Sequence, residues 1–342
     1  MTTARPPAAE VFDVVHARIL RFFPELVEEL GGDAAALLAR AGIDPASRSG
    51  ATYRQTIRLM ERAAADLACP DFGMRLARLQ GGGMFGPLGL AMKNSRTFGD
   101  ALEYVSKHTY AHSLAARIRL TRFPAGAFSA HDILLEGVPV KTQLIEQIIL
   151  VGHLSAMEIT GGHARVRRVH FRHQPVSPPK TYRRYFGCEV RFGQQEDGVL
   201  FAAADLACRV VDPDAAAFER VAAYIASAFP RHLPPLHAQV RGVVMQYLGS
   251  ERCTNNGVAA ELNLHPRTLH RHLRAEGASF QKIKDDVRRD VMLYYLRQTR
   301  LDFTRISERL GFAEQSVMTR CCRRWFGAPP TRVRLQEQNG NA

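Results

Sequence analysis

LHPRTLHRHLRAEGASF runs from Leu264 to Phe280 and carries three histidines and three arginines at helix-like spacing. Forty-eight residues on, at Phe312, a second stretch of the same build begins: FAEQSVMTRCCRRWFG, ending at Gly327. In the first, Val258–Leu262, the turn NLH and Pro266–Ala275 read as two short helices around a tight turn. Pro266 suits the first position of the second of these, where a missing N–H costs nothing. Leu269 and Leu273, four apart, point one way into a core. Arg267, His270, Arg271 and Arg274 are then left on other faces of the helix. Leucine anchors beneath long polar side chains are the pattern of a helix that reads base edges and grips phosphates.

The second stretch has the same layout. TRISERLGF supplies its first helix, with Gly311 at the turn, and EQSVMTRCCRRWF its second. Val317, Met318, Cys321, Cys322 and Trp325 supply the buried side, which leaves Gln315, Ser316, Thr319 and Arg320 outward. Gln and Arg suit adenine and guanine edges respectively. Arg274, Arg288, Arg323 and Arg324 are the expected phosphate contacts. Between the two motifs, SFQKIKDDVRRDVMLYYLRQ (279–298) reads as one long helix. About 18 residues at 1.5 Å rise span roughly 27 Å. With the flanking turns, that holds two reading helices near one turn of B-DNA apart, about 34 Å. The expectation is a bipartite reader of duplex DNA that enters two successive major grooves.

Residues 238–335 resemble the C-terminal domain of AraC/XylS-type transcription regulators. The resemblance rests on RTLHRHLRAEGASF, on LGFAEQSVMTRCCRRWFGAPPTRVR and on their separation. It implies base readout at Arg267, His270 and Arg271 and at Gln315, Ser316, Thr319 and Arg320. RNA polymerase is a further expected partner. Three positions depart from the family pattern: His265 and Ala313 stand where helix caps are expected, and Val333 stands where an aromatic is usual. The N-terminal part resembles the arabinose-binding-type domain of one branch of these regulators. Its matching stretches are LLARAGID, DFGMRLARLQ, FGPLGLAMKNSRTFGDALEYV, VHFRHQPVSPPKTYRRYFGCEVRF and LFAAADL, over about residues 20–210. That resemblance implies effector sensing or dimerisation rather than catalysis.

The rest of the chain fits a two-domain plan. The segments 33–44, TYRQTIRLMERAAADLA, PDFGMRLARLQ and 97–115 have helical periodicity, with Thr97 as an N-cap. ARIRLTRF (116–123) alternates like a strand, PAG turns the chain, and AFSAHDILLE returns as a second strand. Val140–Thr160 is a long apolar helix and 164–173 a strand; a short helix at KTYRRYFG, strands near EVRFG and GVLFAA, and a helix over Asp214–Phe229 follow. Pro230, Pro234 and Pro235 break any helix that would cross FPRHLPPLHAQ. The expected fold is therefore an α+β sensor and dimerisation domain (1–230), a Pro-rich linker (231–236) and an all-α domain (237–335) with two helix-turn-helix motifs joined by a long helix.

Charge points the same way. The chain carries 46 Lys/Arg and 33 Asp/Glu, a formal net charge of +13. Residues 1–230 hold 27 and 23 of these and residues 231–342 hold 19 and 10, so about two thirds of the excess is in the last third. A polyanionic partner for that part follows, double-stranded DNA first. No apolar run approaches the roughly 18–20 residues of a membrane span, and the N-terminus lacks a signal-peptide pattern. The six cysteines form no CxxC pair and fit a reduced, cytoplasmic chain.

Other motifs read as structural. GGGMFG (81–86) matches GxGxxG but follows a helix, so a loop over a pocket is the better reading than a dinucleotide site. His108 and His112 sit four apart without a third metal ligand, and His265, His270 and His272 belong to the reading helix. Cys321 and Cys322 read as small core residues. No G-x-S-x-G elbow is present. The expectation is a dimeric, sequence-specific regulator controlled by a small-molecule effector, with no enzymatic activity, metal or cofactor. The alternative is a constitutive DNA-binding protein whose first domain only dimerises. An enzyme fused to a DNA-binding module is a third class, opposed by the absence of a catalytic constellation. Effector, operator and sign of regulation are not written in the sequence.

Overall fold

The computed structural model describes residues 13–15, 18–44, 51–229 and 234–335. Residues 230–233 of the proline-rich segment, and most of the stretch scanned for a signal peptide, lie outside the described residues. The chain divides into two compact units. One holds the residues up to Ile133 and those from Lys141 to the linker. The other holds Leu134–Val140 together with the residues from Pro234 on.

In the first unit the helices are α1 (Phe23–Glu29), α2 (Ala34–Arg40), α3 (Tyr53–Asp66), α4 (Phe72–Gln80), α5 (Pro87–Lys93) and α6 (Phe98–His108). A hairpin follows, β1 (Ala116–Phe123) and β2 (Gly126–Ile133), and then α7 (Thr142–Ile159). The unit is completed by β3 (Arg168–His170), α8 (Pro179–Phe186), β4 (Glu189–Arg191), β5 (Gly198–Ala202), α9 (Ala203–Ala207) and α10 (Ala215–Ala228). The five strands form one sheet in the order β1-β2-β5-β3-β4, antiparallel except for the β3–β4 pair. The α+β reading of this part holds.

Helix α7 is the axis of this unit. It is apolar on nearly every side, as a fully enclosed helix must be, and Leu144, Leu150 and Val151 are completely buried. Each such side chain contributes about 1.5–3 kcal/mol of transfer free energy. Two of its buried polar side chains are bonded to neighbouring elements. Gln147 Nε2 donates to Gln80 Oε1 at 2.6 Å, and Glu146 Oε1 accepts from the Tyr182 hydroxyl at 2.6 Å. Gly73 on α4 lets the two helices touch: a Cβ there would lie 2.0 Å from the Gln143 carbonyl oxygen.

Two elements differ most in length from the sequence reading. The strand expected over 164–173 is only Arg168–His170, because the Arg172 N–H goes to the Asp197 carboxylate at 2.8 Å instead of continuing the ladder. The helix expected over 97–115 starts at the Thr97 cap but ends at His108. There the Thr109 hydroxyl donates back to the Val105 carbonyl at 2.9 Å, and the chain tightens into a 3-10 turn.

The second unit is helical, with α11 (Leu236–Tyr247), α12 (Asn255–Glu261), α13 (Pro266–Ala275), α14 (Phe280–Gln298), α15 (Phe303–Arg309), α16 (Gln315–Phe326) and α17 (Pro330–Leu335). It has two apolar clusters. Val240, Val244, Val258, Leu269, Leu273 and Val287 lie in the first, and Met292, Leu296, Ile306, Leu310, Met318 and Cys322 in the second. Helix α14 serves both: Ile283 and Val287 enter the first cluster, Met292 and Leu296 the second. The segment Leu134–Val140 is tied into this unit by one buried ion pair. Arg241 Nη2 meets Asp290 Oδ2 at 2.6 Å, Arg241 Nε donates to the Leu135 carbonyl at 3.1 Å, and Asp290 accepts from the Gly137 N–H at 2.8 Å.

Candidate nucleic-acid interface

Each cluster in the second unit supports one helix-turn-helix. In the first, Thr254 caps α12 by accepting from the Gly257 N–H at 3.1 Å, and Asn263 makes the turn in a left-handed conformation, φ 53°. Helix α13 is then anchored by Leu269 and Leu273, both essentially without solvent contact. Arg267, His270, Arg271 and Arg274 are all exposed. Their spacing is i, i+3, i+4, i+7, which is one helix face opposite the leucines. Arg271 Nη2 lies 3.5 Å from His272 Nε2.

The second motif repeats this pattern at an offset of 49 residues, from Pro266 to Gln315 at the helix starts. Met318 and Cys322 are the anchors of α16 and are fully buried. Gln315, Ser316, Arg320 and Arg323 are exposed and Thr319 is half-buried; Arg324 is exposed beside them. Ser316, Thr319, Arg320 and Arg323 therefore form the same i, i+3, i+4, i+7 face as the four residues on α13. Three of the outward groups are already engaged, Arg324 with Asp285 at 3.8 Å among them. The Thr304 hydroxyl donates to Gln315 Oε1 at 3.0 Å, and the Ser316 hydroxyl donates to Glu314 Oε2 at 2.9 Å. Val317, Cys321 and Trp325, expected on the buried side, are only half-buried. Cys322 donates through Sγ to the Ala328 carbonyl at 3.4 Å, and burial pushes its thiol up to about 11.

The caps differ from expectation. His265 is an effective cap: its Nδ1 accepts from the Arg267 N–H at 3.2 Å. The second reading helix begins one residue later than Ala313 as cap would require. Glu314 holds the cap position in extended conformation, and its side chain makes no cap bond.

Arg288 requires a correction. The sequence placed it among the phosphate contacts, but its guanidinium is directed inward. Nε donates to the Leu310 carbonyl at 2.9 Å, Nη2 to the Gly311 carbonyl, and the group lies 4.4 Å from the Phe312 ring centroid. Only 12% of the side chain is exposed, and burial lowers its pKa. It closes the carboxyl end of α15, where unpaired carbonyls attract a cation.

Sequence reasoning missed Arg241. The available signal was an arginine inside the apolar stretch AQVRGVVM, since a buried charge requires a partner. The remaining singled-out groups have structural roles. Gly81–Phe85 is a 3-10 turn whose Phe85 lines a cavity in the first unit. His108 Nδ1 is bonded to the Tyr104 carbonyl at 2.7 Å, and His112 Nε2 to the Tyr53 hydroxyl at 2.6 Å. Among the described residues no three His, Cys, Asp or Glu side chains are grouped to hold a metal, and no helix is long and apolar enough to cross a membrane.

Residues 31–210 match the family described as the arabinose-binding domain of AraC transcription regulators, N-terminal, and residues 258–336 match a helix-turn-helix domain family. The chain is 32% identical over 333 residues to the HTH-type transcriptional regulator VirS of Mycobacterium tuberculosis (strain ATCC 25618 / H37Rv), which covers 95% of this chain and 97% of that protein. It is 25% identical to the ornithine utilization regulator of Pseudomonas aeruginosa, over 95% of this chain and 97% of that one. The crystal structure of the transcriptional regulator CdpR from the same species aligns over 88% of this chain and 96% of its own, at 20% identity and a TM-score of 0.43.

Proposed function

Since the chain belongs to the AraC-type transcription regulators with an arabinose-binding-type N-terminal domain, we propose that it reads two successive major grooves of an operator with α13 and α16. The observation that carries this is the repeated outward face: Arg267, His270, Arg271 and Arg274 over one pair of buried anchors, Ser316, Thr319, Arg320 and Arg323 over the other. Arg267, His270 and Arg271, with Gln315, Ser316, Thr319 and Arg320, read bases; Arg274, Arg323 and Arg324 grip phosphates. The chain works in the cytoplasm as a homodimer, activates with RNA polymerase, and answers to an effector bound in residues 1–230, ahead of a linker at 231–236 and a reader at 237–335. Its task is regulation rather than catalysis.

Genomic footprinting of the full-length protein, followed by titration on the recovered operator, tests the reading. Affinity should fall steeply with salt, because each neutralised phosphate releases counterions and contributes a slope of about −0.9. Binding indifferent to salt, or a footprint covering a single groove, contradicts it.

A further inference from the structure

The first unit contains a cavity that DNA reading leaves unused. It lies between the β1–β2 hairpin and helices α3, α5, α6 and α7, and encloses about 430 Å³ of non-atom space, part of it open to solvent. Phe85, Leu88, Ile118, Ile133, Ile145 and Ile148 make its walls apolar.

The polar groups on the walls are committed to the protein. The Tyr53 hydroxyl is bonded to His112 Nε2 at 2.6 Å, and the Thr109 hydroxyl donates to the Val105 carbonyl at 2.9 Å. Arg117 Nη2 meets Asp132 Oδ2 at 2.8 Å. Asp132 also meets Arg119 at 3.1 Å and Arg172 at 3.5 Å, while Arg119 reaches Glu196 at 2.5 Å and Arg172 reaches Asp197 at 3.8 Å. Three guanidinium groups thus face three carboxylates, and no charge is left over for an anion. A polyol would exchange many bonds to water for walls that cannot replace them. His131 is the exception: its Nε2 has only a long contact, 3.4 Å, to the Ser129 hydroxyl. Burial pushes this imidazole down to about 4, so it is uncharged near neutral pH.

We propose that this cavity takes a small, uncharged, predominantly apolar molecule, with one hydrogen-bonding group at His131, and neither a sugar nor an anion. The proposal rests on the sensing role given above to the first unit. Ile133 ends β2 and Ile145 lies on α7, and the chain between them includes Leu134–Val140, the segment pinned by Arg241 and Asp290.

The test is fluorobenzene titrated into the full-length protein and followed by 19F relaxation, with competition by 1-hexanol, hexanoate and L-arabinose. Fluorobenzene should bind saturably and be displaced by 1-hexanol, but not by hexanoate or L-arabinose. Ile148→Trp, which fills the cavity, should abolish saturable binding. If that variant does not fold, Leu88→Phe should weaken it. Displacement by arabinose or hexanoate, absence of saturable binding, or unchanged binding in the folded variant overturns the proposal. Saturable, hexanol-displaced binding that leaves operator affinity unchanged supports the ligand class and counts instead against effector control.

Discussion

The two halves of the DNA-reading unit share helix α14 but are fastened to it differently. Asp290, on one side, pairs with the buried Arg241 of α11, and the two together hold the Leu135 carbonyl and the Gly137 N–H. Arg288, two residues earlier, turns to the other half and takes the Leu310 and Gly311 carbonyls. Lys284 Nζ adds a bond to the Cys253 carbonyl at 2.6 Å in the first half, and Arg324 lies 3.8 Å from Asp285 in the second. The difference is the buried charge pair, which only the first half has among the described residues and which neither partner can lose alone; in the second half the buried cation, Arg288, sits on backbone carbonyls. Anchors and reading faces repeat; fastenings and caps do not. On the proposed reading the outward faces answer to one geometry, that of a duplex groove, whereas each core needs only to be filled and its buried charges paired.

Removing each fastening in turn should separate the two halves by the size of the loss. Asp290→Ala leaves the Arg241 guanidinium buried without its carboxylate. Loss of one partner of a buried pair costs about 3–5 kcal/mol, so a large drop in melting temperature is expected. Arg241→Leu with Asp290→Leu should recover most of it, since apolar replacement of both partners is often neutral. A single Asp290→Ala that melts like the parent refutes the asymmetry. Arg288→Ala should cost less, about 1.5–3 kcal/mol for bonds to a charged group, and hydrogen exchange should rise at α15 and α16 but not at α13. Its salt slope for DNA should match the parent; a shallower slope would return Arg288 to the phosphate set.

The caps give the smallest effects. His265→Ala should destabilise by about 0.5–1 kcal/mol, and Glu314→Ser should stabilise by up to about 1 kcal/mol, because only the first helix now has a side-chain cap. Equal and opposite shifts in thermal melts of the two variants sharpen the contrast; a loss of stability in Glu314→Ser removes it.

What the sequence made legible is what local periodicity controls. Leu269 with Leu273, the Thr97 cap, the alternation in β1 and the break at Pro234–Pro235 all belong to short-range rules. What it hid depends on partners far along the chain. Arg241 and Asp290 lie forty-nine residues apart, and nothing near either names the other. Leu134–Glu136 reads as the end of a strand, yet Leu134–Val140 belongs to the second unit. Arg288 looked like a surface cation on a polar helix, and only the carbonyls closing α15 explain its direction. The start of α16 moved from Ala313 to Glu314 because helix ends depend on a single residue's dihedral angles. The cavity was legible only through Phe85 in GGGMFG.

On the proposed function, the two faces read different grooves. Arg271 and Arg320 occupy the same place on α13 and α16, two residues past the first anchor in each. Each can offer a guanidinium fork to guanine, a contact worth about 1–3 kcal/mol of discrimination. The deciding measurement titrates Arg271→Ala and Arg320→Ala against an operator set carrying every single-base substitution. Each variant should lose preference at one position, and the two positions should lie roughly 10 bp apart. Relaxation of the same half-site by both, or no change in base preference by either, contradicts the account.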